Sequence, residues 1–185
     1  MRTIFSLPDR VFAILEPASV PVLSTLARFV FAAVLLVYFW NSGITKIPDG
    51  FASLFSPSFN AFAQIFPKGA EAVSYDITQA TGFQKAVILA GTWAEFILPA
   101  LLILGLYTRA AAFGMICFVV VQSVTDIYGH GAAIGGWFDN LPDAAIIDQR
   151  SLWVFLLLYL VLRGGGPLSL DYVLFGRHSH EAAYS

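Results

Sequence analysis

Residues 91–114 read GTWAEFILPALLILGLYTRAAAFG. The run is long and apolar enough to cross a bilayer, which takes roughly 20 helical residues for about 30 Å of hydrocarbon. It nevertheless carries a carboxylate, Glu95, and the next basic residue, Arg109, lies 14 positions further on. A charge at the centre of a span costs about 2.5–3.5 kcal/mol on the insertion scale, and each Leu, Ile, Phe or Val returns about 0.3–0.6. The neighbouring residues therefore offset one acid. An acid in that position is expected to face the interior of a helix bundle and to find a partner there.

Composition points the same way. Of 185 residues, 58% are hydrophobic and 12% charged, whereas soluble domains carry about 25% charged residues. The whole chain, 1–185, reads as a single all-α domain: a polytopic membrane protein built as a four-transmembrane-helix bundle, whose first partner is the lipid bilayer. The formal net charge is -2 and no long basic run occurs, so no nucleic-acid partner is expected. The opening stretch MRTIFSLPDRVFAILEPASVP is interrupted by Pro8, Asp9, Arg10, Glu16 and Pro17. It lacks the clean apolar core of a cleavable signal peptide. Cys117 is the one cysteine, which excludes a CxxC thiol couple within the chain. Its simplest reading is a small core or lipid-facing residue.

Spans are expected at about 23–43, 83–107, 110–128 and 145–163. All are helices, because hydrocarbon leaves a single span no other way to satisfy its backbone. The first connection, about 44–82, contains Phe51, Phe55, Phe59, Phe62 and Phe66, spaced 4, 4, 3 and 4 apart. That is one face of a helix. Ser56 before Pro57 reads as an N-cap and first helical position, and Pro67 as the end of the run. Two short amphipathic helices follow, either lying on the membrane surface or forming a lid over the bundle with the phenylalanines lining an apolar site. The third connection, GHGAAIGGWFDNLPD, is a turning loop. Beyond span four, Gly164 to Pro167 stop the helix, and Ser169 caps a short interfacial helix with Tyr172 and Phe175 toward lipid. The remaining tail, 164–185 overall, carries His178 and His180 in a solvated end.

Basic residues set orientation. Arg2, Arg10, Arg28, Arg109, Arg163 and Arg177 fall on one side; Lys46, Lys68, Lys85 and Arg150 fall on the other. The second side also holds Asp49, Glu71, Asp76, Asp126, Asp139, Asp143 and Asp148. Both termini are therefore expected in the cytoplasm, with the chain a multi-pass protein of a bacterial inner membrane.

Arg28, Arg109 and Arg163 mark one edge from which depth can be counted at about 1.5 Å per residue. Glu95 stands roughly 21 Å above it, and Asn41 and Arg150 roughly 20 Å. Asp148 lies a fraction of a turn above Arg150. Asp126 and Lys46 share a level at roughly 26 Å. By depth, Arg150 is the expected partner of Glu95, either as an ion pair that staples two helices or as the setting of a proton-accepting or ligand-binding carboxylate. Pro99 cannot donate to the carbonyl of Glu95, which leaves a free acceptor beside that carboxylate. Asp126 and His130 are spaced i, i+4. They read as a carboxylate-oriented histidine for proton transfer, as two ligands of a metal completed by Asp148 or Glu95, or as a solvated pair. Trp40 and Trp93 lie near the Asn41/Glu95 level and read as interface anchors or as walls of an aromatic site; Trp137 and Trp153 read as anchors or packing. There is no dinucleotide-binding, Walker, haem-attachment or HExxH motif. Bound haem is not expected, since His130 is the one histidine near a span.

Three segments carry a family resemblance: LARFVFAAVLLVYFWNSGITKI with Arg28, Gly43 and Lys46; AEFILPALLILGLYTRAAA with Glu95, Gly105, Thr108 and Arg109; and the closing GGGPLSLD. In order and spacing they resemble DoxX-like integral membrane proteins over about 23–175. The resemblance implies a four-helix redox-linked membrane subunit, of the kind associated with thiosulfate:quinone oxidoreductase or with oxidative-stress complexes. TDIYGHG and DQRSLW are more similar to relatives linked to peptide-modifying iron enzymes with copper-related roles. A redox-enzyme or peptide-modifying partner is thus implied, but no catalytic residue is carried over.

Together these readings give a quinone-interacting subunit. Glu95 accepts or relays a proton, Arg150 sets its ionisation, and Asn41 or His130 binds a carbonyl, with Trp40, Trp93, Lys46, Asp126 and Asp148 around the ligand. The alternative is a non-catalytic scaffold or assembly partner of a redox or metal-stress system. A small-solute or metal carrier finds less support, because four spans without an inverted repeat offer little for alternating access unless the chain forms a homo-oligomer.

Overall fold

The computed structural model of the chain describes residues 6–139, 141 and 146–176. Asp143, the first residue of the expected fourth span at 145, Arg2, Arg177, His178 and His180 lie outside them. Among the described residues all regular structure is helical. Three helices are long and apolar enough to cross a membrane: Glu16–Thr45, Gly82–Leu104 and Thr108–Gly129.

The first begins earlier than hydropathy predicts. Helix α1 runs Ser6–Phe31, passes through a π-helical turn at Ala32–Leu36, and continues as α2, Val37–Thr45. Pro17 and Pro21 lie inside α1. Each removes one backbone donor, and hydroxyls engage carbonyls of the same stretch: Ser19 donates to the carbonyl of Glu16 at 2.6 Å and Thr25 to that of Pro21 at 3.0 Å.

The first connection holds two short α-helices, as expected, but with other bounds. A 3-10 turn spans Gly50–Leu54, then α3 spans Phe59–Ile65 and α4 spans Pro67–Ala72. The N-cap of α3 is Ser58, not Ser56: its hydroxyl accepts from the Ala61 amide at 3.1 Å. Pro67 opens α4 rather than closing a run, since its missing N–H is harmless at a first helical position.

Helix α5, Gly82–Leu104, opens on a capping box between Thr81 and Gln84 and continues through Pro99. It ends three residues before the expected boundary. Gly105 takes φ +66°, and the Leu106 amide returns to the Leu101 carbonyl at 2.9 Å, the hydrogen-bond pattern that terminates a helix on a left-handed glycine. Helix α6, Thr108–Val124, follows at once and ends in a second π-helical turn, Thr125–Gly129. Helix α7, Ile147–Arg163, has 17 residues, about 25 Å of rise and the lower end of what a span needs. Helix α8, Leu170–Phe175, is capped as expected by Ser169, whose hydroxyl accepts from the Tyr172 amide at 3.2 Å.

Helix α6 packs on both α5 and α7, α1 closes on α7, and α2 on α5. The core between them is Phe31, Leu35 and Phe39 against Leu102, Met115, Val119, Leu157 and Leu160. A second apolar cluster joins Ala61 and Phe62 of α3 and Ala70 of α4 to Ile88 of α5, so the loop helices are seated on the bundle.

One end of the bundle is tied by Arg28, which is 8% exposed. Its guanidinium donates to the carbonyls of Leu102 at 2.9 Å, Leu168 at 2.7 Å and Gly165 at 3.2 Å, and to that of Ile103. The Leu102 and Ile103 carbonyls belong to the last turn of α5, beyond the reach of the helix's own i+4 donors; that of Leu102 also accepts from the Gly105 amide at 3.2 Å. Beside this, Asp171 accepts from the amides of Tyr107 at 2.6 Å and Thr108 at 2.8 Å and so caps α6. The expected edge marker is thus a buried junction of three chain segments.

Candidate functional site

At the opposite end, helix α2 carries Ser42 and Lys46 four residues apart, on one face. Helix α5 brings Glu95 against them. Both oxygens of Glu95 lie 2.8 Å from Lys46 Nζ, and Ser42 donates to Oε1 at 2.9 Å. The two charged side chains are 6% and 3% exposed. The helices approach closely because residue 43 is a glycine: a Cβ there would sit 2.7 Å from Phe96 Cζ.

This overturns the pairing expected from depth. Glu95 pairs with Lys46, not with Arg150. Arg150 lies one helix further round, donating to Asp126 and, at 2.9 Å, to Ser123 Oγ, with its guanidinium 5.9 Å from the Trp153 ring. Counting residues gives height but not direction around the bundle. Lys46 also reaches down: its ammonium bonds the Ser42 carbonyl one turn below at 3.2 Å. Helical side chains lean toward the N-terminus in this way, which brings the charge from the Asp126 level to that of Glu95.

The Lys46–Glu95 pair forms part of the wall of a cavity of about 530 Å³ between α2, α3, α5 and α6. Small residues make room for it: Ala90, Gly91 and Ala94 on α5, and Gly114 on α6. Toward the Arg28 end the cleft narrows where a Cβ on Gly114 would meet Leu98 at 3.2 Å. At the other end Gln64 and Ile65 of α3 border it, and His130 Nε2 donates to the Gln64 carbonyl at 2.8 Å. Ala90, Cys117 and Val121 line it and are exposed. The cavity therefore opens sideways between α5 and α6, on a face that lipid covers in a bilayer. The lid geometry of α3 is present, but its phenylalanines do not form the lining. Phe62 is buried beneath α3, Phe55 meets Trp93 edge-on at 6.0 Å, and Phe59 meets Tyr75.

Of the expected site residues, the cavity gathers Glu95, Lys46, Asp126 and His130. Asp126 and His130 both face it from the π-helical turn and its C-cap, but each is engaged elsewhere, with Arg150 and with Gln64. Among the described residues no three His, Cys, Asp or Glu side chains come together as a metal-ligand group. Asn41 is exposed on α2, outside the cavity, because it sits one position off the Ser42 face. Trp40 and Trp93 are about two-fifths exposed and line nothing there. Each bonds a main-chain carbonyl instead: Trp93 donates to that of Leu54 at 2.6 Å and Trp40 to that of Phe96 at 3.4 Å. Asp148 is half-buried on the first turn of α7, also outside the cavity. Ser42, Gln122 and Thr125 are additions. The first two were readable in principle, since each precedes a charged cavity residue by four positions: Ser42 before Lys46, Gln122 before Asp126.

The sequence model of the DoxX family matches residues 23–125, more than half of the chain. The chain belongs to the DoxX family. The match takes in Arg28, Lys46 and Glu95 and stops at Thr125, so GGGPLSLD lies outside it. The structure still joins that segment to the DoxX core through Arg28 and Asp171. No curated protein and no solved structure matches the chain.

Proposed function

We propose that this DoxX protein is an inner-membrane subunit with a redox-linked role, whose cavity takes the headgroup of a lipophilic quinone. The observation that carries the reading is the cavity itself: about 530 Å³, open sideways between α5 and α6, walled mainly by small and apolar residues, with the buried Lys46–Glu95 pair and a few further polar side chains such as Gln64, Gln122 and Thr125. Ligand sites are commonly 300–1,000 Å³, largely apolar, with a few placed polar groups. A ligand whose tail stays in the bilayer fits a sideways mouth. Lys46 donates to both oxygens of Glu95 across 2.8 Å contacts, a pair suited to passing a proton to a reduced headgroup, while the electrons come from a partner redox protein. The basic-residue bias supports the Arg28 end facing the cytoplasm, with the cavity in the outer half of the membrane.

The test uses Cys117, the single thiol and a lining residue. Purified protein in detergent is treated with a lipid-soluble maleimide with and without decylubiquinone. The quinone is expected to slow Cys117 labelling in a saturable way. Unchanged labelling at all quinone concentrations sinks the proposal.

A second reading has its own support. Lys46 and Glu95 are fully engaged with each other and with Ser42, which is how a staple between α2 and α5 would look. If the protein is a scaffold, Glu95→Gln lowers its melting temperature in detergent and leaves any ligand response unaltered.

A further inference from the structure

We infer that Thr125 is a headgroup-binding residue, its hydroxyl bonding an oxygen on the ligand's ring. The inference rests on the quinone reading of the cavity and names one of the groups that hold the headgroup there.

Hydroxyls inside these helices are mostly engaged. A serine or threonine within a helix commonly bonds the carbonyl four residues back. Thr25 does so to Pro21 at 3.0 Å, Thr92 to Ile88 at 2.8 Å and Ser123 to Val119 at 2.6 Å. The Ser42 hydroxyl is taken by Glu95 at 2.9 Å. Thr125 departs from this pattern. The Val121 and Gln122 carbonyls accept from its backbone amide, and its hydroxyl has no hydrogen-bond partner among the described residues. Its oxygen is not sealed in the packing either, as those of Ser24 and Thr108 are. The residue is half-buried and lines the cavity.

Thr125 also opens the π-helical turn Thr125–Gly129, across which the His130 amide returns to the Thr125 carbonyl at 3.2 Å. Single π-helical turns are rare and are frequent at functional sites. This one brings Thr125, Asp126 and His130 to the cavity. Asp126 is held by Arg150 and His130 by the Gln64 carbonyl, which leaves Thr125 as the uncommitted member of the three.

A hydroxyl has one proton to donate and two lone pairs, and it rotates to suit its partner. It donates to a quinone carbonyl and accepts from a quinol hydroxyl. The same residue therefore keeps its bond when the ring is reduced, and it favours neither form. Gln64 and Gln122 border the same space, each bonded to a hydroxyl, of Thr45 and of Tyr38, and their remaining amide protons can share the headgroup with it.

The experiment measures decylubiquinone binding to the protein in detergent by titration calorimetry. Thr125→Val keeps the branched shape and removes the hydroxyl. One hydrogen bond lost corresponds to roughly 3- to 10-fold in affinity, and that weakening is expected. Thr125→Ser keeps the hydroxyl and should bind close to the parent. The rate of Cys117 labelling without quinone should be the same in all three, since the cavity keeps its shape. If Thr125→Val does not fold, Thr125→Ala against Thr125→Ser makes the same comparison. Parental affinity in Thr125→Val, or an equal loss in Thr125→Ser, overturns the role of the Thr125 hydroxyl while the cavity reading stands. Absence of binding to the parent protein overturns both.

Discussion

Removing one half of the Lys46–Glu95 pair should hurt far more than removing both. Lys46 and Glu95 are 5% and 2% exposed, and the carboxylate receives hydrogen bonds from Lys46 on both oxygens and from Ser42 on one. Lys46→Met leaves Glu95 a buried carboxylate with one hydroxyl for company. Breaking a buried pair in this way costs about 3–5 kcal/mol. Glu95→Met strands the ammonium and should cost a similar amount. The double replacement leaves two apolar side chains of similar length facing each other. Such replacements are commonly neutral or stabilising, so the double variant should lie within about 1 kcal/mol of the parent or above it. The cycle then reports a coupling on the order of 3 kcal/mol or more, well above the 0.5 kcal/mol scatter of independent sites. Reversible unfolding in mixed detergent micelles, followed by far-ultraviolet circular dichroism, measures all four corners. A single Lys46→Met loss under 1 kcal/mol would mean that water reaches the pair, and the reasoning would be wrong. The double variant has a further use. If it is stable yet no longer responds to quinone, the pair serves the ligand and not only the fold.

Gly105→Ala should cost roughly 2–5 kcal/mol, since a left-handed φ is strained for alanine by about 1–2 and overpacking adds about 1–3. Its Cβ would lie 2.5 Å from Ser169 Cβ; Gly50→Ala, also at positive φ but with nothing within 4 Å, should lose only the smaller amount, and equal losses in the same unfolding assay would contradict the packing argument. Asp171→Ala removes both acceptors from the start of α6 and should lower stability by about 1–2 kcal/mol, with faster hydrogen exchange at Tyr107 and Thr108; unchanged exchange there would contradict the cap. Asp76, in the first connection, has its carboxyl held below the usual carboxylate range by the Thr78 hydroxyl, the Gln79 amide and the Thr78 backbone. A lowered folded value means that this stabilisation is present above the unfolded value and is lost as pH falls through the folded one; a carbon-13 titration giving the ordinary value of about 3.9 would count against it.

Hydropathy made the helical membrane fold legible, and with it the burial of Glu95. A run such as FILPALLIL admits one environment, and a carboxylate inside it must face protein. The caps were partly legible: Ser169 was, while Ser58 was displaced by the attraction of Ser56–Pro57. What stayed hidden was azimuth. The π-helical turns at Ala32–Leu36 and Thr125–Gly129 each change the winding of a helix without any residue that announces it. They shift which side chains face inward beyond them, Lys46 and His130 included. Asn41 and Ser42 show the consequence: one residue apart, one exposed and one bonded to Glu95. The carbonyl partners of Arg28 were hidden for a different reason. They are main-chain atoms, present at every position, so sequence could mark where α5 stops at Gly105 but not which side chain would come to cover its end.

The Arg28 junction also constrains the order in which the protein is made. Arg28 is synthesised 74 residues before Leu102 and 140 before Leu168. At about 5–20 residues per second, the ribosome takes on the order of 10 s to supply the last carbonyl. Through that interval the guanidinium of the first helix has at most the Leu102 and Ile103 carbonyls to bond, and so remains free to adjust while the later helices arrive. The bundle is locked only by the segment that follows its last long helix. A nascent chain stopped at Arg163 would carry every long helix and still lack the Gly165 and Leu168 carbonyls that close the fold.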